Sequence, residues 1–252
     1  MTTTQLFFEK AAKTYDTFND IQEDLFMALL TNIKQKQFNY IIDLGCGSGR
    51  LSYKLHNIFN PKTLIGLDNS KEMIKKAQKE YQKESIYFLH KDICEFPIEA
   101  DSDFVFSNAS FQWIEHLDHV FESMSLSKQR QIAFSVFLPG SFTELEQAIN
   151  KALNLNVTLP ATEFNPINYY EDLCARYFGS FTAKKLTLTK HFKSLSALLK
   201  WIKQVGIRGA GSSPSLNWST GKIKAIEEAY INLFNDISVT FEVACFWSDL
   251  KQ

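Results

Sequence analysis

The chain has 252 residues, 45% of them hydrophobic, enough for one large domain or a core with an elaborated cap. A formal net charge of −1 makes the molecule as a whole no obvious nucleic-acid binder, and no run of 18 apolar residues predicts a membrane-spanning helix. The start, "MTTTQLFFEKAAKTYD", lacks the cationic and apolar blocks of a secretory signal, and Cys46, Cys94, Cys174 and Cys245 form no CxxC pair. That spacing argues against a zinc cluster or redox motif, predicts no metal, and fits reduced thiols in a cytoplasm.

Residues 5–35 read as helical on both sides of a "DTFND" break, with Phe7, Phe8, Ala11, Ala12 and Tyr15 recurring at three- and four-residue spacing. "YIIDLG" is then a short apolar strand, "SGRLSYKLHNIFN" a helix, "TLIGLDNS" a second strand, and "SKEMIKKAQKEY" a helix with Ser70 as N-cap. "IYFLHKDI", "SDFVFSNAS" and "RQIAFSVF" are further strands, with the helix "LDHVFESMSL" before the last of them. This alternation predicts an α/β fold, a mostly parallel Rossmann-like sheet with helices on both faces. After residue 141 the rhythm changes. Residues 142–226 are expected to form an inserted, mostly helical substrate cap with one strand, "TAKKLTLTKHF", inside it. Within it "SLSALLKWIKQVG" carries Leu195, Leu198, Leu199 and Ile202 on one face. Residues 227–252 are expected to return as a final helix and strand that complete the core of residues 1–141.

The turn after the first strand carries Gly45, Gly47 and Gly49, a G-x-G-x-G pattern in a strand-turn-helix setting, where glycine lets backbone approach a ligand. Asp68 ends the second strand about twenty residues on, where a carboxylate accepts from both ribose hydroxyls or merely caps the next helix. Asp92 follows the third strand, placed to read an adenine amino group with Ile93 on the ring, unless it is a surface turn. These residues alone do not separate NAD from S-adenosylmethionine, since both carry adenosine.

"DLGCGSGR", "GLDNSKEMIKKAQ" and "HKDI" resemble the first three motifs of class I S-adenosylmethionine-dependent methyltransferases, in order, over residues 40–93. The resemblance implies S-adenosyl-L-methionine as cofactor. It implies Asp43 near the methionine amino group, and Gly45, Cys46 and Gly47 around the methionine part. It also implies Asp68 and Asn69 at the ribose, Met73 on the adenine, Asp92 with Ile93 framing the base, and Asn108 at the edge of the site.

"FSNASFQW" lacks the Asn/Asp-Pro-Pro-aromatic run of nucleic-acid amino-methylating enzymes. It resembles the S-N-x-x-x-Q-W signature of malonyl-acyl-carrier-protein O-methyltransferases, the enzymes that open biotin synthesis. "FEKAAKTYD", "FSVFLPGSFTELEQA", "LLKWIKQVGIRGA" and "SVTFEVACFW" are similar to further segments of that family, so the resemblance spans nearly the whole chain. The chain departs from it by lacking a glycine pair before the fifth strand, and the resemblance assigns no role to Arg208. The implied substrate is malonyl-acyl carrier protein or malonyl-CoA, with no nucleic acid or membrane involved. A carboxylate, with a pKa of roughly 4, is already ionised at neutral pH and needs no base. The task is then alignment for in-line displacement, worth about 7–11 kcal/mol of barrier, and removal of water from the carboxylate. Tyr15, Asn108, Gln112 and Trp113 are the catalytic candidates.

Charge adds one reading that needs no family. From Leu173 to Ile226 there is no Asp or Glu, against ten Lys and Arg. The stretch is a solvated basic face or a dock for an acidic carrier protein, with Lys193, Lys200, Lys203 and Arg208 as the partner-binding candidates. A methyltransferase for another small carboxylic acid or a quinone precursor, and a non-catalytic adenosyl-ligand or RNA-binding module, stand as the alternatives.

Overall fold

The computed structural model describes residues 8–12, 14–17, 20–35, 37–95, 102–126, 131–204 and 218–248. Among the described residues, seven strands form one sheet: β1 (Tyr40–Leu44), β2 (Thr63–Asp68), β3 (Ile86–His90), β4 (Phe104–Asn108), β5 (Gln131–Phe137), β6 (Phe181–His191) and β7 (Ser238–Ser248). Their order across the sheet is β3-β2-β1-β4-β5-β7-β6. The first five run parallel, and β7 is antiparallel to both β5 and β6. The helices are α1 (Asp20–Leu30), α2 (Arg50–Phe59), α3 (Lys71–Tyr81), α4 (Leu117–Leu126), α5 (Thr143–Leu153), α6 (Ile167–Tyr177), α7 (Leu195–Gln204) and α8 (Thr220–Phe234). None is long and apolar enough to cross a membrane.

The strands sort their side chains with a period of two, as a sheet covered on both faces requires. Ile41, Phe104, Phe106, Ala133, Phe137, Phe241 and Val243 enter one core, with apolar residues of α1, α2, α3, α5, α7 and α8. Ile42, Val105, Ile132, Phe134, Val136 and Phe246 enter the other, against α4 and α6. The N-cap reading of Ser70 holds: its Oγ accepts from the N–H of Met73 at 3.3 Å.

Residues 142–226 differ from the expected cap. α5 buries Leu145, Ala148 and Ile149 in the first core, and α6 buries Tyr170, Leu173 and Cys174 in the second. β6 pairs with β7 over its whole length, from Phe181 opposite Ser248 to His191 opposite Ser238. The segment is built into the central layers because its strand supplies the outer edge of the sheet. A boundary at 226/227 falls inside α8.

The sheet order reverses between β1 and β4, which opens a crevice at their carboxyl ends. α1 anchors beside it through Phe26, which is fully buried and meets the Phe106 ring edge-on at 5.7 Å. Phe26→Ala is expected to cost about 3–5 kcal/mol of unfolding free energy, read by chemical denaturation. A loss under about 1 kcal/mol would mean that α1 contributes little to the core.

Candidate active site

The glycine turn is shaped by the end of β2. Gly45 and Cys46 both donate their N–H to the Leu67 carbonyl, at 2.8 and 2.9 Å. One oxygen of Asp68 accepts from the Gly47 N–H at 2.9 Å and the other from the Ser70 N–H at 2.8 Å. Burial raises the Asp68 carboxyl above its ordinary value, and those two bonds oppose the rise. A carboxylate has about four acceptor positions, so both oxygens retain capacity for a ligand. Gly45 has φ +78°, and a Cβ there would lie 2.0 Å from Ser110 Oγ. The room that this glycine leaves is therefore taken by a side chain from beyond β4, not by open space.

The cleft over this turn is lined by Gly45, Gly47, Asp68, Asn69, Met73, Asp92 and Ile93 on one side. Asn108, Ala109, Ser110, Trp113 and Ile114 line the β4 side, and Phe8 and Tyr15 come from the N-terminal segment. Trp113 meets Phe8 at 5.9 Å and Phe164 at 5.0 Å, both edge-on, so one wall is aromatic. The N-terminal segment is tied down by charge. Glu9 accepts from the Lys71 N–H at 2.7 Å, at the start of α3, where the helix dipole favours an anion. Asp16 accepts from Ser48 and pairs with Lys76 at 2.6 Å, while Arg50 reaches Glu23 at 2.5 Å.

Of the residues predicted for the site, Tyr15, Gly45, Gly47, Asp68, Asn69, Met73, Asp92, Ile93, Asn108 and Trp113 meet in this cleft. Three others do not line it. Asp43 is 2% exposed and accepts from Ser52 Oγ at 2.5 Å. Cys46 is buried in the first core, its thiol pushed well above the ordinary value by burial. Gln112 folds back so that its Nε2 donates to the Ala109 carbonyl at 2.7 Å. Asn108 reaches the cleft with its amide engaged on both sides: Nδ2 donates to the Gln22 carbonyl, and Oδ1 accepts from Ser135 Oγ. It fixes α1 to β4 and β5. Lys193, Lys200 and Lys203, expected to bind a partner, are exposed and outside the cleft, and Arg208 lies outside the described residues. Phe8, Ala109, Ser110 and Ile114 were not singled out in the sequence. Phe8 carries the periodicity of an ordinary core position, and the other three flank the motif residues without a signal of their own.

Residues 41–126 match the family model described as Methyltransferase domain. The chain carries most of its cleft within that match, which runs from β1 to α4. It is 27% identical over 238 residues to malonyl-acyl-carrier-protein O-methyltransferase 1 of Ilyobacter polytropus, covering 92% of this chain and 87% of that one. The protein of the same type from Priestia megaterium is 26% identical, with 79% of this chain and 78% of the relative covered. Among solved structures, geranyl diphosphate C-methyltransferase from Streptomyces coelicolor, in complex with S-adenosyl-L-homocysteine, has a TM-score of 0.53 at 15% identity. That match covers 92% of this chain and 82% of the other.

The cleft suits an adenosyl ligand. An acceptor carboxylate sits at the strand end, apolar Met73 and Ile93 can face a base, and backbone N–H groups surround the turn. Buried Asp43 gives the site a pH signature. Burial, with the charge of Asp68 adding to it, pushes its carboxyl from 3.8 up to about 7, against the pull of Ser52. The folded chain then holds a proton that the unfolded chain has lost, so stability falls as pH rises from about 4 to about 7. Denaturation of wild type and Asp43→Asn at about pH 4.5 and about pH 8 should show wild type losing up to about 3 kcal/mol relative to the variant. Parallel pH dependences would contradict this burial.

Proposed function

We propose that this methyltransferase esterifies the free carboxyl of malonyl-acyl carrier protein, or of malonyl-CoA, and so opens pimeloyl synthesis for biotin. The relatives that match over 92% and 79% of the chain carry that activity in their names. The observation that carries the reading is the chemistry of the cleft. Among the described residues that line it there is no His, Lys, Arg, Cys or Glu, and its two carboxylates, Asp68 and Asp92, lie on the side of β2 and β3. An acceptor that needed deprotonation would find no base on the aromatic side. A carboxylate arrives ionised.

S-adenosylmethionine, when bound, supplies a sulfonium methyl that a carboxylate oxygen takes by in-line displacement. Asp68 and Asn69 would hold the ribose, Met73 and Ile93 would face the adenine with Asp92 at its amino edge, and Gly45 and Gly47 would lie under the methionine part. Tyr15, whose ring carbon Cε1 lies 3.8 Å from where a Cβ on Gly47 would sit, closes the loop from above. Trp113, with Phe8 and Phe164 against it, excludes water from the approach of the acyl carboxylate. Asn108 and Gln112 act at one remove, by fixing the turn that carries Trp113. All four cysteines are free, as a reducing cytoplasm leaves them.

The basic stretch is partly neutralised. Arg176, Lys185, Lys190 and Lys224 pair with Asp118, Glu242, Asp20 and Glu228, all outside it. Lys193, Lys200 and Lys203 are exposed on and just before α7 and form no ion pair among the described residues. The end of α7 touches the N-terminal segment, where Thr14 Oγ1 donates to the Gln204 carbonyl at 3.3 Å, next to Tyr15 of the cleft. Lys203 adjoins Gln204 and Lys200 lies one turn earlier, which would suit an acidic carrier protein approaching from this side.

Labelled S-adenosylmethionine with malonyl-, acetyl- and succinyl-carrier protein should yield a base-labile methyl ester on the malonyl form. Absence of label on every thioester would sink the reading. Reversing Lys200 and Lys203 to Glu should slow the carrier-protein reaction on the order of tenfold at low salt and leave malonyl-CoA much less affected. Equal slowing of both substrates would remove the dock.

A further inference from the structure

The turn after β4 holds a polar group that neither the fold nor the roles assigned above use. Ala109 has φ +54°, a left-handed conformation that a residue with a Cβ rarely adopts, at the edge of the cleft. The surrounding bonds over-determine it. The Ala109 N–H donates to the Ser135 carbonyl and to Ser135 Oγ, both at 3.0 Å. The Ala109 carbonyl accepts from Gln112 Nε2, and the Ser110 carbonyl accepts from the Trp113 N–H at 3.0 Å. The outcome of this bracing is the position of one side chain. Ser110 is carried over Gly45 so closely that no other residue than glycine fits beneath its Oγ.

The Ser110 hydroxyl itself makes no hydrogen bond among the described residues and does not cap the short helical turn that follows. Its neighbours behave differently. Ser48 bonds Asp16, Ser52 bonds Asp43, Ser70 bonds Glu9, Ser107 bonds the Leu44 carbonyl, and Ser135 bonds Asn108. Ser110 alone of these faces the cleft. A strained backbone that is held by four bonds, and that presents one unbonded hydroxyl to a ligand cleft, calls for a ligand atom at that hydroxyl.

We infer that Ser110 is a carboxylate-binding residue, its hydroxyl donating to a ligand carboxylate held over Gly45. The assignment to an anion follows from the lining. An ammonium entering the cleft finds Asp68 and Asp92, whereas a carboxylate finds no Lys, Arg or His among the described lining residues and depends on neutral donors. Two carboxylates reach this cleft on the reading proposed above, on which this inference rests: that of the cofactor's methionine part and that of the acyl substrate.

The test separates the two. Calorimetric binding of S-adenosylhomocysteine and of its decarboxylated analogue is measured on wild type and Ser110→Ala, together with KM for the malonyl thioester. Removal of a hydroxyl over a glycine creates no clash, and an unchanged Tm checks that the turn survives. If the cofactor's carboxylate is the partner, Ser110→Ala binds S-adenosylhomocysteine about tenfold more weakly, equivalent to about 1.4 kcal/mol, and binds the decarboxylated analogue as wild type does. If the acyl carboxylate is the partner, both nucleoside affinities stay unchanged and KM for the malonyl thioester rises about tenfold. Affinities and KM all within twofold of wild type overturn the inference, as does an equal loss for S-adenosylhomocysteine and its decarboxylated analogue. A wild-type protein that binds neither nucleoside defeats the cofactor reading itself, and is thereby distinguished from a failure of Ser110.

Discussion

The carboxylate of Asp68 holds the site together before any ligand arrives. It spans two backbone N–H groups that belong to different elements, Gly47 of the loop after β1 and Ser70 at the head of α3. A charge-assisted pair of this kind is stronger than bonds between neutral groups. It fixes the loop relative to β2, while the Leu67 carbonyl holds the first half of the same turn. The loop in turn sets where Gly45 lies under Ser110 and Gly47 under Tyr15. Removing the carboxylate would release the loop and the helix start together, so one side chain ties the shape of the cleft to the fold.

The second constraint is the distribution of charge. Acidic groups lie toward β2 and β3, and the opposite wall is aromatic. The cations near the cleft are turned outward into a clasp: Arg50 and Lys76 hold Glu23 and Asp16, and thereby keep the N-terminal segment across the opening. A carboxylate inside would therefore meet no Lys, Arg or His among the described lining residues, and on the proposed reading its partner would be the sulfonium. In a site poor in water that attraction is stronger than in solution, and a lysine in the wall would compete for it.

Much of the core was legible because local rules and the final fold agree. The apolar runs of β1, β4 and β5 are buried on both faces, as their unbroken hydrophobicity predicts, and Ser70 caps α3 as its position suggests. The glycine turn and Asp68 were readable because their chemistry depends on neighbours within one βαβ unit. What was not legible depends on long-range partners. Asp43 lies inside the motif, yet it is buried against the hydroxyl of Ser52 and does not line the cleft. Gln112 reads as a site residue but is consumed by the strained turn at Ala109. Phe164 reaches Trp113 from about fifty residues away in sequence, which no periodicity reveals. β6 alternates half-buried and exposed residues with several lysines, the pattern of a protected edge strand. That pattern within a helical stretch suggests an insertion, and only its pairing with the last strand places it in the sheet.

The central claim is that an adenosyl ligand lies along this cleft with its ribose at Asp68 and its sulfur toward the aromatic wall. A crystal structure of the chain with S-adenosylhomocysteine tests it most directly. The account requires the ribose hydroxyls within hydrogen-bond distance of Asp68, the adenine between Met73 and Ile93, and the sulfur on the side of Tyr15 and Trp113. Ligand density with the ribose away from Asp68, or a cleft left empty at saturating ligand, would contradict it.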